Sequence, residues 1–176
     1  MRNKPTLTIG ISALNEELNI ENILGSLVKQ NEDVIDIAEI IVVSDGSNDK
    51  TVELANKLVD RRIVVIEENK RLGKNKRIEQ ICKVAKGEII VLIDADVLPE
   101  DEYTIGNIAK PFMDDEKIAY VAGGSISMEP SNFVEKSVII GRSVWDSIRT
   151  ELKDGNGVYA CNGRFYALRS EFAKNV

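Results

Sequence analysis

The chain has 176 residues, 43% hydrophobic and 30% charged, with a formal net charge of −6 and no histidine. That suits one globular domain and speaks against nonspecific nucleic-acid binding, which needs a basic face. Without histidine, every imidazole base and histidine metal site is excluded, so acid–base or metal chemistry falls to Asp and Glu.

Thr6 to Ser12 is a short apolar, β-rich run and predicts a strand. Glu16 to Lys29 carries Leu18, Ile20, Ile23, Leu24, Leu27 and Val28 at helical spacing. A strand over 37–43, a helix over 49–58, a strand over 63–66, a helix over 74–85 and a strand over 88–93 follow. Strands alternate with helices, and the strands are continuous apolar runs. That pattern predicts a mostly parallel α/β sheet flanked by helices on both faces. Beyond residue 100 the pattern loosens. Ile118 to Ala122 reads as a strand, 132–153 as a long helix capped by Ser131, and "VYACNGRFYALR" as two extended pieces around Asn162 and Gly163. Cys82 and Cys161 have no CxxC spacing and read as reduced, half-buried thiols. No apolar run approaches the ~20 residues of a membrane span, and no signal-peptide core is present. The expectation is a soluble, cytoplasmic chain, at the inner face of a membrane if its parent is larger.

In such a sheet, ligands bind beyond the carboxyl ends of the strands. The segments there are "ALNEE", "SDGSNDKT", "ENKRLGKNKR" and "DADVLPE". Asp94 and Asp96 put like charges on one side of an extended segment, repelling by ~3 kcal/mol at ~5 Å. A hard divalent cation, Mg²⁺ or Mn²⁺, would offset this; a solvated acidic loop is the alternative. In "SDGSNDKT", capping accounts for Ser47 and Asp49 but leaves Asp45 at the strand tip, able to accept from a base or ribose. Lys70, Arg71, Lys74, Lys76 and Arg77 crowd a predicted helix start, where the dipole disfavours cations and favours phosphate; a lysine-rich solvated face is the alternative. No GxGxxG and no Walker A sequence occurs.

Together, "ISALNEE", "IIVVSDGSNDKT", "RLGK" and "IIVLIDAD" resemble the inverting family 2 glycosyltransferases of the GT-A fold, in order and in spacing. Gly73 stands 21 residues before Asp94, as in that family. The resemblance is strong over residues 6–100 and weak over 118–170. It implies a single Rossmann-like domain of the nucleotide-diphospho-sugar transferase type over 1–176, with a donor-binding half in 1–100 and an incomplete acceptor half in 101–176.

The resemblance also implies site residues. Ala13, Asn15 and Glu16 form the first loop against the nucleotide. Asp45 binds the base, Lys74 lies near the donor, Asp94 contacts ribose or metal, Asp96 ligates the metal of a DXD motif, and Gly163 lies at the acceptor side. The implied cofactor is Mn²⁺ or Mg²⁺. The implied partners are a nucleoside-diphosphate sugar, most commonly a UDP-sugar, and a saccharide or lipid-linked acceptor. Leu14, Ser44 and Glu79 depart from the pattern, where the family often has an aromatic residue, a further acid and an Asn. The family's catalytic Asp or Glu follows the segment resembled by "FYALR". Glu171 is the only acid after that segment, and it comes too early, so the base is expected beyond Val176 of a longer parent. A sugar-nucleotide pyrophosphorylase, which would want a Gly-rich first loop, and a non-catalytic nucleotide-binding module are the rival readings.

Overall fold

The computed structural model describes residues 4–124 and 163–174, with positions 126, 129, 133, 134, 136, 137, 139, 140 and 147 between them. Chain packing separates one unit, Met1–Gly123 with Arg164–Val176, from a second, Gly124–Gly163. In the first unit, apolar runs become strands β1 (Thr6–Ala13), β2 (Asp36–Asp45), β3 (Ile63–Glu68) and β4 (Ile89–Ile93). Between them run helices α1 (Ile20–Leu27), α2 (Thr51–Lys57) and α3 (Lys74–Val84). Helix α4 (Thr104–Asp114), strands β5 (Tyr120–Ala122) and β6 (Phe165–Arg169), and helix α5 (Ser170–Lys174) complete it.

The sheet order is β3-β2-β1-β4-β6-β5. β1 pairs in parallel with β2 and β4, and β2 in parallel with β3. β6 lies antiparallel to both β4 and β5. Period-two geometry then splits each apolar run between two cores. Ile89, Val91 and Ile93 join Leu7, Ile9, Ile11 and the buried faces of α1 and α4. Ile90 and Leu92 face the other way, with Ile81 and Cys82 of α3. All five residues of β4 are buried, as a strand covered on both faces must be. Cys82 is a free thiol, and its burial pushes its pKa up, away from reactivity.

Several boundaries differ from the sequence expectation. Helix α1 begins at Ile20 rather than Glu16, because Asn15 adopts a left-handed φ of 56° and residues 15–17 spend their amides on the loop after β2 and the first residue of α2. β2 and β3 run on to Asp45 and Glu68, keeping their ladder past the apolar residues. Helix α4 was not expected at all. Its Ile105, Ile108, Ala109 and Phe112 are buried at helical spacing, but Gly106 and an internal Pro111 weaken its propensity.

The helix expected over 132–153 lies mostly outside the described residues; positions 133, 134, 136, 137, 139, 140 and 147 within it are helical. The extended piece expected over 158–162 lies wholly outside them. Among the described residues, no helix is long and apolar enough to cross a membrane.

Candidate functional site

Strand order reverses at β1, whose neighbours are β2 on one side and β4 on the other. The loops after β1, β2, β3 and β4 therefore converge at one rim. A cavity of about 260 Å³ opens there, lined by Ser12, Leu14, Glu16, Asp45, Arg71, Gly73, Lys74, Asp94, Ala95 and Asp96.

The first two loops are laced together. Asn15 N–H donates to Ser47 Oγ (3.1 Å), and Asn48 N–H donates back to Asn15 Oδ1 (2.9 Å). Glu16 N–H reaches Thr51 Oγ1 (2.7 Å), and Glu17 N–H reaches Asp49 Oδ2 (3.1 Å). Asp49 also accepts from the amide and hydroxyl of Thr51. Burial alone would raise the Asp49 pKa, but these donors outweigh it and hold the carboxyl below its ordinary range. Asn15 and Asp49 thus fix loop shape. Ala13 is buried at the end of β1. Of the first-loop residues, Leu14 and Glu16 line the cavity.

Asp45 does not stand at the strand tip as a free acceptor. It is 3% exposed and accepts from Leu72 N–H, Gly73 N–H and Arg77 Nε at 2.8, 2.8 and 2.7 Å. Burial would raise its pKa; the two amides and the guanidinium override that and lower it. Gly73 is the residue that permits this, since its φ of +92° lies in the region L side chains rarely adopt. Gly46 turns the chain at φ +75°, and a Cβ there would come within 3.1 Å of the Arg71 nitrogen.

The cationic segment divides. Arg77 is buried, donating to Asp45, to Gln80 Oε1 (3.1 Å) and to the Lys70 carbonyl, with Glu68 at 3.6 Å. Lys76 pairs with Glu79 at 2.7 Å on the solvent side. Arg71 and Lys74 remain at the cavity. The buried role of Arg77 was invisible in a sequence where five cations crowd one segment. Its signal was helical phase: Arg77 shares a face of α3 with Ile81.

β4 ends at Ile93, where Asp94 N–H donates to the Arg164 carbonyl (2.8 Å) and Val97 N–H closes a turn on the Asp94 carbonyl (3.1 Å). Asp94 and Asp96 therefore leave the sheet in a turn rather than an extended segment, and both line the cavity. Lys74 Nζ lies 2.5 Å from Asp94 Oδ1. Among the described residues, no group of three His, Cys, Asp or Glu side chains is placed to hold a metal ion. Two adjacent carboxylates do fit the manner in which Mg²⁺ and Mn²⁺ are held, by one or two acids with substrate phosphates and water. Gly163 is an exposed turn residue before β6 and is not part of the cavity lining.

A mostly parallel sheet with helices on both faces and a polar cavity at its strand-order reversal is the GT-A architecture of nucleotide-sugar-dependent transferases. The model of the family Glycosyl transferase family 2 matches residues 8–175, and the chain belongs to that family. It is 29% identical over 178 aligned residues to a dolichol-phosphate mannosyltransferase of Pyrococcus furiosus, covering 97% of this chain and 48% of that one. Its fold resembles the mannosyltransferase PcManGT of Pyrobaculum calidifontis, solved with GDP-Man and Mn²⁺, at a TM-score of 0.76 and 23% identity, covering 99% and 47% of the two chains. It also resembles glucosyl-3-phosphoglycerate synthase of Mycobacterium tuberculosis, solved with Mn²⁺, UDP-Glc and phosphoglyceric acid, at 0.64 and 24%, covering 95% and 57%. The chain spans less than half the length of curated relatives it matches, from 15% of glycosyltransferase AglD of Haloferax volcanii to 48% of the mannosyltransferase.

Proposed function

We propose that this chain forms the donor-binding part of a metal-dependent glycosyltransferase. It transfers a sugar from a nucleoside-diphosphate sugar, a UDP-sugar first, to a saccharide or lipid-linked acceptor with inversion. The observation that carries this reading is one cavity where Asp94, Asp96, Lys74 and Arg71 meet at the strand-order reversal. Residues 1–100 supply the donor side, and 101–176 begin the acceptor side, where Gly163 lies.

Leu14 and Glu16, from the first loop, face the nucleoside. Arg71 and Lys74, at the entry to α3, bind the diphosphate, and the α3 N-terminus adds its positive dipole end. Asp45 and Arg77 act on the donor through the loop they anchor, so Leu72, Gly73 and Lys74 keep one position whether or not ligand is present. Asp94 and Asp96, the DXD pair, would hold Mn²⁺ or Mg²⁺. When bound, that ion neutralises charge developing on the departing diphosphate. Inversion follows from a single in-line displacement: the acceptor oxygen bonds to the anomeric carbon as the bond to the diphosphate breaks, and the hydroxyl proton passes to a general base.

Calorimetric titration of UDP and GDP, each with and without Mn²⁺, tests the reading. The expected result is nucleotide binding that tightens at least tenfold with Mn²⁺, with the Mn²⁺ dependence abolished by Asp96→Ala in a folded protein. Mn²⁺-independent affinity in the wild type, or unchanged dependence in the variant, would overturn the metal assignment.

A further inference from the structure

We propose that Lys74 is a resident counter-ion of Asp94. It excludes a divalent cation from the acidic pair until a nucleoside diphosphate draws it away. The proposal rests on the donor-binding reading above and adds a coupling to it: metal and nucleotide each bind more tightly when the other is present.

The geometry begins with the backbone. Asp45 grips the Leu72 and Gly73 amides, and Arg77 grips both Asp45 and the Lys70 carbonyl, so the first residue of α3 is fixed in space. From that fixed backbone, Lys74 extends an ammonium on a flexible four-carbon stem. That ammonium contacts Asp94 Oδ1 at 2.5 Å, with the two side chains 43% and 24% exposed. It sits at the N-terminal end of an eleven-residue helix, where the dipole disfavours a cation. The pair persists there because Asp94 offsets that disfavour.

A divalent cation bound through the same oxygen would lie within about 5 Å of the ammonium, and like charges at that range repel appreciably even in a hydrated site. Lys74 and the metal therefore compete for Asp94. A diphosphate ends the competition. It offers the ammonium an anion beside the helix N-terminus, which favours negative charge, and it brings the metal further oxygen ligands. Each ligand then strengthens the other by the same factor, as linkage requires.

The test is a Mn²⁺ titration of the whole chain, with free Mn²⁺ read by electron paramagnetic resonance, in the absence and presence of UDP. The proteins are wild type, Lys74→Gln and Lys74→Arg. Lys74→Gln is expected to bind Mn²⁺ alone about tenfold more tightly than wild type. UDP should then strengthen its Mn²⁺ binding much less than it does in wild type. Lys74→Arg, which keeps the charge, should bind Mn²⁺ alone no more tightly than wild type. If Lys74→Gln binds Mn²⁺ alone no better than wild type while both bind it with UDP, the counter-ion role falls and the donor site stands. If no protein binds Mn²⁺ even with UDP, the donor-site reading and this proposal fall together.

Discussion

Strand β2 buries a carboxylate at each end of the sheet, and the two ends use it differently. At the amino end, Glu39 is 5% exposed and accepts from Thr8 Oγ1 and Lys86 N–H at 2.8 and 2.7 Å. Thr8 Oγ1 in turn accepts from Gly87 N–H at 2.9 Å. The α3–β4 connection is thereby pulled flat against β1, so close that a Cβ on Gly87 would come within 2.4 Å of the Thr8 nitrogen. At the carboxyl end, Asp45 is similarly buried and similarly supplied with donors, but it holds the Leu72 and Gly73 amides and the Arg77 guanidinium of α3. Arg71, Lys74, Asp94 and Asp96 stay around an open cavity beside it. A buried acid with its partners in place marks a fixed loop. The less buried charges stay at the cavity beside it.

Breaking the carboxyl-end anchor should have the largest effect. Arg77→Met leaves Asp45 buried without its guanidinium, and the expected loss is about 3–5 kcal/mol in urea unfolding. Nucleotide affinity should fall with it, because the loop loses its position. An Arg77→Met protein of unchanged stability and unchanged affinity would show that the Asp45–Arg77 pair does not anchor the loop.

Acid pH sharpens the comparison from the amino end. Asp60 is held at a pKa of about 2 by hydrogen bonds from the Arg62 side chain and amide, against an ordinary 3.8. A carboxylate with a depressed folded pKa contributes stability that is complete above its unfolded pKa and is lost as pH falls through the folded one. Asp60 should therefore contribute about 2 kcal/mol at pH 6, lost progressively from pH 4 towards pH 2. Asp45 and Asp49 shift in the same direction and add to the same loss. Urea midpoints at pH 6, 4 and 2.5 measure it, and Asp60→Asn should flatten the dependence.

Smaller still is Glu39→Gln, which keeps an acceptor for Thr8 and Lys86. A cost of about 1–2 kcal/mol with unaltered nucleotide affinity is expected, by the same titrations. The smallest stability effect belongs to the cavity itself. Asp96→Asn should lie within about 0.5 kcal/mol of wild type, because Asp96 is exposed. A large destabilisation there would mean that the acidic pair holds the fold rather than a ligand.

Much of this was legible in the residues. Continuous apolar runs such as Ile89–Ile93 carry their burial in their composition, so the alternation of strands and helices could be read directly. The rim followed from what comes after each strand. Less legible was whatever depends on partners distant in sequence. Arg77 looks like one surface cation among five until Asp45, 32 residues away, accepts from it. Asn15 looks like a ligand-facing polar residue until Ser47 and Asn48 take up its backbone and side chain. Helix α4 hid behind Gly106 and Pro111, whose poor propensity is overridden by packing of Ile105, Ile108 and Phe112. The antiparallel entry of β6 between β4 and β5 has no local signal, because pairing across 72 positions, from Ile93 to Phe165, leaves no trace in periodicity.

That late strand bears on how the protein is made. β4 is synthesised long before β6, and until Phe165–Arg169 arrives, the outer edge of Ile89–Ile93 has every other amide and carbonyl unmatched. Five apolar residues with an open ladder form a ready template for another copy of themselves. A nascent chain paused after Gly123 should therefore be aggregation-prone and dependent on a holding chaperone, and release of the next fifty residues should cure it.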